Sequence, residues 1–116
     1  MVDIYGIKNC STVKKALNWL EDKGIEYKFH DYKKEGISSE KISEWHKQID
    51  WQSLVNRKGT TWRKLEKEIQ ESIKDESSAA KLMQDNTSVI KRPIIEGAGQ
   101  FILGFDEEEY SAKLLS

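Results

Sequence analysis

The stretch VDIYGIKNCSTVKKALNWLEDKGIEYKFH, residues 2–30, changes its hydrophobic period twice. Residues 2–5 are apolar and β-prone, which predicts a buried strand. From Thr12 the apolar residues recur at helical spacing as far as Gly24, a residue typical of helix C-termini. Residues 25–30 alternate apolar and polar side chains, which predicts a second strand. The stretch therefore predicts a β-α-β unit, in which a right-handed crossover joins two parallel strands.

The remaining chain predicts a helical block and then a β-β-α ending. Helices are expected to begin at Ser38 or Ser39, at Thr60 or Thr61, and at Ser77 or Ser78. The first of these helices would carry Ile42, Trp45 and Ile49, and the second would put Trp62, Leu65, Ile69 and Ile73 on one face. Residues 96–100 predict a hairpin loop between two strands, and Asp106 with Glu109 predicts the start of a last helix.

This order predicts an α/β fold of the thioredoxin-like kind, β-α-β … β-β-α with a mixed sheet and an inserted helical subdomain. We expect one domain over residues 1–116, with a core of residues 1–34 and 87–116 and an insertion of residues 35–86. A chain of 116 residues is of the size of one domain and can bury a core of its own.

Composition excludes several classes of function. A net charge of −1 gives no reason to expect nucleic-acid binding. No apolar run approaches the roughly 20 residues that span a bilayer, and the N-terminus lacks the pattern of a signal peptide. The single cysteine, Cys10, cannot form an internal disulfide, so we expect a protein of the reducing cytoplasm. His30 and His46 have no partner at metal-ligand spacing, so we expect no metal site.

Cys10 has two interpretations. A lone cysteine is often a small buried apolar residue. Alternatively, its position beside Ser11, at the predicted start of a helix, favours the thiolate, the form in which a thiol acts as a nucleophile. A helix N-terminus stabilises a negative charge by about 0.3–1 kcal/mol, which is less than one pKa unit. A larger shift requires cations, for which Lys8 and Lys14 are local candidates and Arg57 and Arg92 are distant ones.

Pro93 is the only proline in the chain, and it stands before a predicted strand. A proline does not fit inside a strand ladder. An ordinary trans proline at the start of a strand satisfies this constraint, and so does a cis bond, which occurs at about 5–6% of X-Pro bonds in folded proteins. Periodicity alone favours the trans form.

Five segments occur in an order and at intervals that resemble the ArsC/Spx family, most closely its YffB branch. These segments are YGIKNCSTVKKALNWL (5–20), FHDYKKEGI (29–37), NRKGTTWRKL (56–65), IKRPII (90–95) and ILGFDEEEY (102–110). The resemblance covers essentially the whole chain. It implies a thioredoxin-like fold, Cys10 as the reactive thiol, Pro93 as a cis-proline facing that thiol, and Arg92 in an anion pocket beside it. The expected substrate-binding set is Arg92, Pro93, Arg57, Asn56, Lys8 and Ser11.

Departures from the family pattern separate the candidate functions. Arsenate reductases of this family carry three arginines around the cysteine, but Asn56 stands at the second position, with Arg57 one place later, and residues 102–106 contain no third arginine. Many Spx regulators carry a Cys-x-x-Cys switch, whereas the second position here is Val13. Proteins of the YffB branch share both departures and resemble thiol reductases that use glutathione.

We therefore expect a monomeric thiol-disulfide reductase. It would bind no cofactor, use glutathione as its reducing co-substrate, and act on a small disulfide or oxyanion. The alternatives are an arsenate reductase that depends on glutathione or glutaredoxin, and a regulator that binds RNA polymerase as Spx does.

Overall fold

The computed structural model describes residues 1–115. Its strands are β1 (Val2–Gly6), β2 (Tyr27–Asp31), β3 (Ile94–Gly97) and β4 (Gln100–Leu103). Its α-helices are α1 (Ser11–Asp22), α2 (Tyr32–Glu35), α3 (Ser39–His46), α4 (Trp51–Leu54), α5 (Thr60–Arg63), α6 (Lys67–Ser72), α7 (Glu76–Asp85) and α8 (Glu107–Leu114), and a 3₁₀ helix covers Thr87–Val89. In these residues no helix is long and apolar enough to cross a membrane.

The described residues form two compact units, residues 1–35 with 92–115 and residues 36–91. The sequence placed the second boundary near residue 87, but residues 87–91 belong to the helical unit. Backbone hydrogen bonds explain the difference, since the Asn56 N–H donates to the Val89 carbonyl at 2.7 Å and the Lys91 N–H to the Leu54 carbonyl at 2.7 Å. That the whole chain behaves as a single domain stays a prediction.

The first unit is a four-stranded mixed sheet in the order β2-β1-β3-β4. β1 and β2 are parallel, with Gly6 opposite Asp31, as the β-α-β prediction requires. β3 is antiparallel to both β1 and β4. The predicted hairpin loop is present, and Ala98, with φ of 53°, lies in its turn. The α/β, thioredoxin-like prediction is therefore confirmed.

The core of this unit lies where α1 and α8 pack against the sheet. Its buried residues are Val2, Ile4, Ala16, Trp19, Leu20, Ile95, Ile102 and Tyr110. Gly6 lets α1 come close to the end of β1, because a Cβ there would lie 2.8 Å from the Cγ2 of Val13. The approach places the start of α1, and with it Cys10, directly beyond the carboxyl end of β1.

The helical unit departs from the sequence prediction in its middle. One helix was expected from Thr60 or Thr61 through residue 73, but the chain forms the two short helices α5 and α6. At the break, the Trp62 carbonyl accepts from the Leu65 N–H at 3.1 Å and from the side-chain amide of Gln70 at 2.7 Å. Ile69 is 42% exposed, so no continuous apolar face forms.

The helix starts of this unit were predicted in part. Ser38 caps α3, as expected, but α3 ends at His46, so Ile49 lies beyond it. α7 is capped by Asp75 rather than by Ser77 or Ser78. Asp75 accepts from the Ser78 N–H at 2.8 Å and the Ser78 hydroxyl accepts from the Asp75 N–H at 3.2 Å, a reciprocal capping box. The short helices α2 and α4 were not predicted.

Candidate active site

The site is built at the start of α1. Cys10 is the N-cap residue of that helix, with extended backbone angles, and its carbonyl accepts the first helical hydrogen bond, from the Lys14 N–H at 3.0 Å. The first turn of α1 contains no acidic residue. The positive end of the helix dipole therefore faces the half-buried Cys10 side chain without a competing carboxylate.

The surroundings of Cys10 favour the charged form of its thiol. Burial alone raises the pKa of the Cys10 thiol. Hydrogen bonds from the backbone N–H groups of Val13 and Thr12 lower it, as do a hydrogen bond from the Arg92 side chain and the charge of that guanidinium. The net result is a pKa below the ordinary value for cysteine.

Arg92 lies two residues before β3, the strand that pairs with β1 on the side opposite β2. The Arg92–Pro93 peptide bond is cis, so the expectation of a cis-proline is confirmed and the trans form favoured by periodicity is wrong. Pro93 is buried and its carbonyl accepts from the Gly104 N–H at 2.8 Å. The antiparallel pairing of β3 with β1 brings residues more than eighty positions apart to one end of the sheet.

The other predicted site residues divide between the two units. Ser11 is the exposed first residue of α1. Lys8 is exposed and lines a groove of about 330 Å³, together with Leu17 and Phe29. These two residues therefore share the unit of Cys10, although neither contributes to the lowered pKa of its thiol.

Asn56 and Arg57 lie in the helical unit. The Asn56 side chain packs against its own turn, because a Cβ at Gly59 would lie 2.7 Å from its amide nitrogen. Arg57 is exposed, and its backbone N–H donates to the Val55 carbonyl at 3.1 Å. Their role in binding stays a prediction.

Sequence reasoning did not identify the backbone N–H groups of Thr12 and Val13 as part of the site. In the sequence, Val13 was noted as the residue at the second position of the Cys-x-x-Cys pattern. The available signal was positional, since the second and third residues of a helix donate N–H groups toward its cap. In residues 1–115 no group of three histidine, cysteine or acidic side chains could hold a metal ion.

Fold and site together define a thioredoxin-like protein with a single activated thiol. The model of the ArsC family matches residues 5–113, and the chain belongs to that family.

Two solved structures and one relative are close in sequence. A protein named YffB superposes with a TM-score of 0.92 at 42% identity, over 98% of this chain and 99% of that one. An arsenate reductase (ArsC) related protein from Brucella melitensis is 49% identical, with a TM-score of 0.76, over 96% of this chain and 92% of that one. A protein from Haemophilus influenzae is 45% identical over 97% of both chains. Global transcriptional regulators named Spx also match, at 27% identity in Listeria innocua.

Proposed function

We propose that this protein is a glutathione-dependent thiol-disulfide reductase whose nucleophile is Cys10. The observation that carries the proposal is the half-buried thiol at the N-cap of α1. Its pKa is lowered by the N–H groups of Val13 and Thr12 and by Arg92, although burial opposes the shift. A thiol with a lowered pKa is ionised to a larger extent at neutral pH, and the thiolate is the form that attacks sulfur.

The proposed reaction has two exchange steps. The Cys10 thiolate attacks one sulfur of a substrate disulfide, which forms a mixed disulfide and releases the other sulfur as a thiolate that takes up a proton. A glutathione thiolate then attacks the mixed disulfide. Where the substrate is a mixed disulfide with glutathione and Cys10 attacks the glutathione sulfur, this second attack releases Cys10 as a thiolate and forms glutathione disulfide. One substrate disulfide is then reduced at the expense of one reduced glutathione molecule.

The second step requires an external thiol because the chain contains one cysteine. Glutathione carries two carboxylates, for which Arg92 and Lys8 of the sheet unit are the proposed partners, with Ser11 as a hydrogen-bond donor. Pro93 would line the same site through its place next to Arg92. We infer that the protein works as a monomer in the cytoplasm, where glutathione is the abundant thiol.

Arsenate reduction is the second candidate. The arginine beside the thiolate suits an oxyanion, and one of the similar structures is that of an arsenate reductase related protein. The arginine missing from residues 102–106 opposes this candidate. Glutathione or glutaredoxin would then supply the second thiol.

The test is incubation of the reduced protein with glutathione disulfide and, separately, with arsenate and glutathione, followed by intact-mass measurement. The proposal predicts one glutathionyl adduct on Cys10 in the first incubation, its removal by added glutathione, and no adduct in Cys10→Ser. Arsenate-dependent consumption of glutathione would favour the second candidate. A Cys10→Ser variant with wild-type turnover would show that neither enzyme reading is right. Co-purification with RNA polymerase in place of adduct formation would favour a regulator.

A further inference from the structure

β2 is an edge strand of the sheet, because within residues 1–115 it pairs with β1 alone. Val2 stands opposite Tyr27, and the Val2 N–H donates to the Glu26 carbonyl at 3.0 Å. In a parallel ladder this register turns the backbone groups of Lys28 and His30 toward β1. The backbone N–H and C=O groups of the alternate residues therefore point to the open side of the strand.

Three residues of β2 present backbone groups to this open side, namely Tyr27, Phe29 and Asp31. The Asp31 N–H is already occupied, since it donates to the Glu35 carboxylate at 3.4 Å. The N–H and C=O groups of Tyr27 and Phe29 have no partner in the part of the chain that the structure describes. A second extended strand can pair with these four groups.

A groove of about 330 Å³ lies beside the open edge of β2. Its apolar lining is Leu17, Tyr27 and Phe29, which pack against the core of the sheet unit and stay half-buried. The Tyr27 hydroxyl donates to the Glu21 carboxylate at 3.0 Å, which orients the tyrosine ring. Alternate side chains of an added strand would enter a groove of this kind.

The charges of the groove favour an acidic ligand at the end near Cys10. Lys8 and Lys34 line the groove, are exposed, and form no ion pair within residues 1–115. Both follow the carboxyl ends of parallel strands, which is the end of the sheet where Cys10 follows β1. Of the two carboxylates in the lining, that of Asp31 accepts from the Lys33 N–H at 2.8 Å and the other accepts from the Asp31 N–H. The two lysines are therefore available to carboxylates of a ligand.

We propose that the open edge of β2 and the groove beside it bind an extended, acidic segment of a polypeptide substrate, whose cysteine is joined to glutathione in a mixed disulfide. The added strand would lie two strand spacings, about 10 Å, from β1, and about three extended residues span that distance toward Cys10. This inference rests on the proposed function, because Cys10 must attack the disulfide. It adds the class of substrate, a glutathionylated protein.

The probe is a synthetic peptide in which a glutathionylated cysteine precedes two glutamates, a glycine and a run of alternating valine and threonine. The cysteine stands first because an antiparallel strand on β2 begins at the Cys10 end of the sheet, and antiparallel pairs outnumber parallel ones. Cys10 attacks the glutathione sulfur, the peptide leaves as a thiolate that takes up a proton, and added glutathione then releases Cys10 and forms glutathione disulfide. We expect kcat/KM for this peptide to exceed that for glutathione disulfide about tenfold or more.

The backbone pairing is tested on the peptide, so that the protein stays unchanged. N-methylation of alternate peptide residues removes the N–H groups along one edge of the added strand. Methylation of the edge that faces β2 should lower kcat/KM about tenfold, whereas methylation of the opposite edge should leave it unchanged. Equal kcat/KM values for the two methylated peptides would overturn the proposal.

Lys34→Glu tests the charge of the groove, with Lys15→Glu as the matched control. Lys15 is also exposed, but it lines a different groove, together with Trp19 and Phe105. Lys34→Glu should lower kcat/KM for the acidic peptide about threefold, and should not lower it for a peptide with glutamine in place of both glutamates or for glutathione disulfide. Lys15→Glu should leave all three values unchanged. An equal loss on all three substrates in Lys34→Glu would contradict the docking of an acidic segment there.

Failure of the proposed function would give a different result from failure of this inference. If Cys10 is not a thiol-disulfide nucleophile, the wild-type protein forms no adduct with glutathione disulfide and reduces none of the substrates. If instead the wild-type protein reduces glutathione disulfide and the acidic peptide with the same kcat/KM, the proposed function stands and the docking of a polypeptide on β2 is wrong.

Discussion

α1 and α8, the two longest helices of the sheet unit, differ in the residue that caps their N-terminus. α8 is capped by Asp106, whose carboxylate accepts from the Glu108 N–H at 2.9 Å and the Glu109 N–H at 3.2 Å. Three glutamates follow in its first turn. The N–H donors and the positive end of the dipole of α8 are therefore already matched by carboxylates of its own chain.

α1 begins with Cys10, and its first turn carries no acidic residue. Its donors are instead aimed at a sulfur that can become charged. The difference shows that one structural position, the N-cap, stabilises a helix when an acid occupies it and prepares a nucleophile when a thiol does. Four variants or measurements test that contrast, beginning with the largest expected effect.

Cys10→Ser removes the nucleophile but keeps a good N-cap. We expect complete loss of adduct formation with glutathione disulfide, measured by intact mass, because a serine hydroxyl does not undergo disulfide exchange. Serine caps helices well, so the free energy of unfolding in urea is expected not to fall. A fall of more than about 1 kcal/mol in the free energy of unfolding would support the interpretation in which Cys10 is a buried packing residue.

Arg92→Gln removes the cation beside the thiolate. An opposite charge close to a titrating group shifts its pKa by about 1–3 units, so we expect the alkylation rate at pH 7 to fall about tenfold or more. Arg63→Gln, which removes an exposed arginine of α5, is the control and should keep the wild-type rate. Equal alkylation rates in Arg92→Gln and Arg63→Gln would show that Arg92 does not stabilise the Cys10 thiolate.

The pH profile of the wild-type protein tests the contrast without a substitution. Because the pKa of Cys10 lies below its ordinary value despite burial, owing to the N–H groups of Val13 and Thr12 and to Arg92, the thiolate persists to lower pH. The alkylation rate should therefore fall off at a lower pH in the folded protein than in the same chain unfolded in urea. Coincident profiles would mean that the start of α1 does not activate the thiol.

Much of the sheet unit was predictable because its signals are local. The change of period within residues 2–30 predicts β1, α1 and β2, and the glycines of residues 96–100 predict the hairpin. The register of the strands is not a local property, because it depends on which side chains pack against one another across neighbouring strands. The position of Arg92 beside Cys10 depends on the pairing of β3 with β1, so no local pattern could reveal it.

The helical unit was harder to predict because several neighbouring residues are each compatible with the start or the end of a helix. Asp75, Ser77 and Ser78 all suit a helix start, and only the reciprocal hydrogen bonds select Asp75. The spacing of Trp62, Leu65 and Ile69 fits one helix, yet the chain breaks after Arg63. At the site, Cys10 was identifiable as the single thiol of the chain. The cis bond before Pro93 was expected only from the family resemblance, because the periodicity favoured the trans form.

Asp106→Ala should have the smallest effect on the reactivity of Cys10. It tests whether the N-cap of α8 contributes to stability alone. Loss of an N-cap carboxylate costs about 1 kcal/mol of unfolding free energy, which urea denaturation measures. Asp106 is not among the groups that shift the pKa of the Cys10 thiol, so the alkylation profile should match the wild type. Asp106→Asn, which keeps an acceptor for the Glu108 and Glu109 N–H groups, should restore most of the stability. If Asp106→Ala instead shifted the pH profile of Cys10, the two helix starts would be coupled through the sheet unit, and capping and activation could not be assigned to them separately.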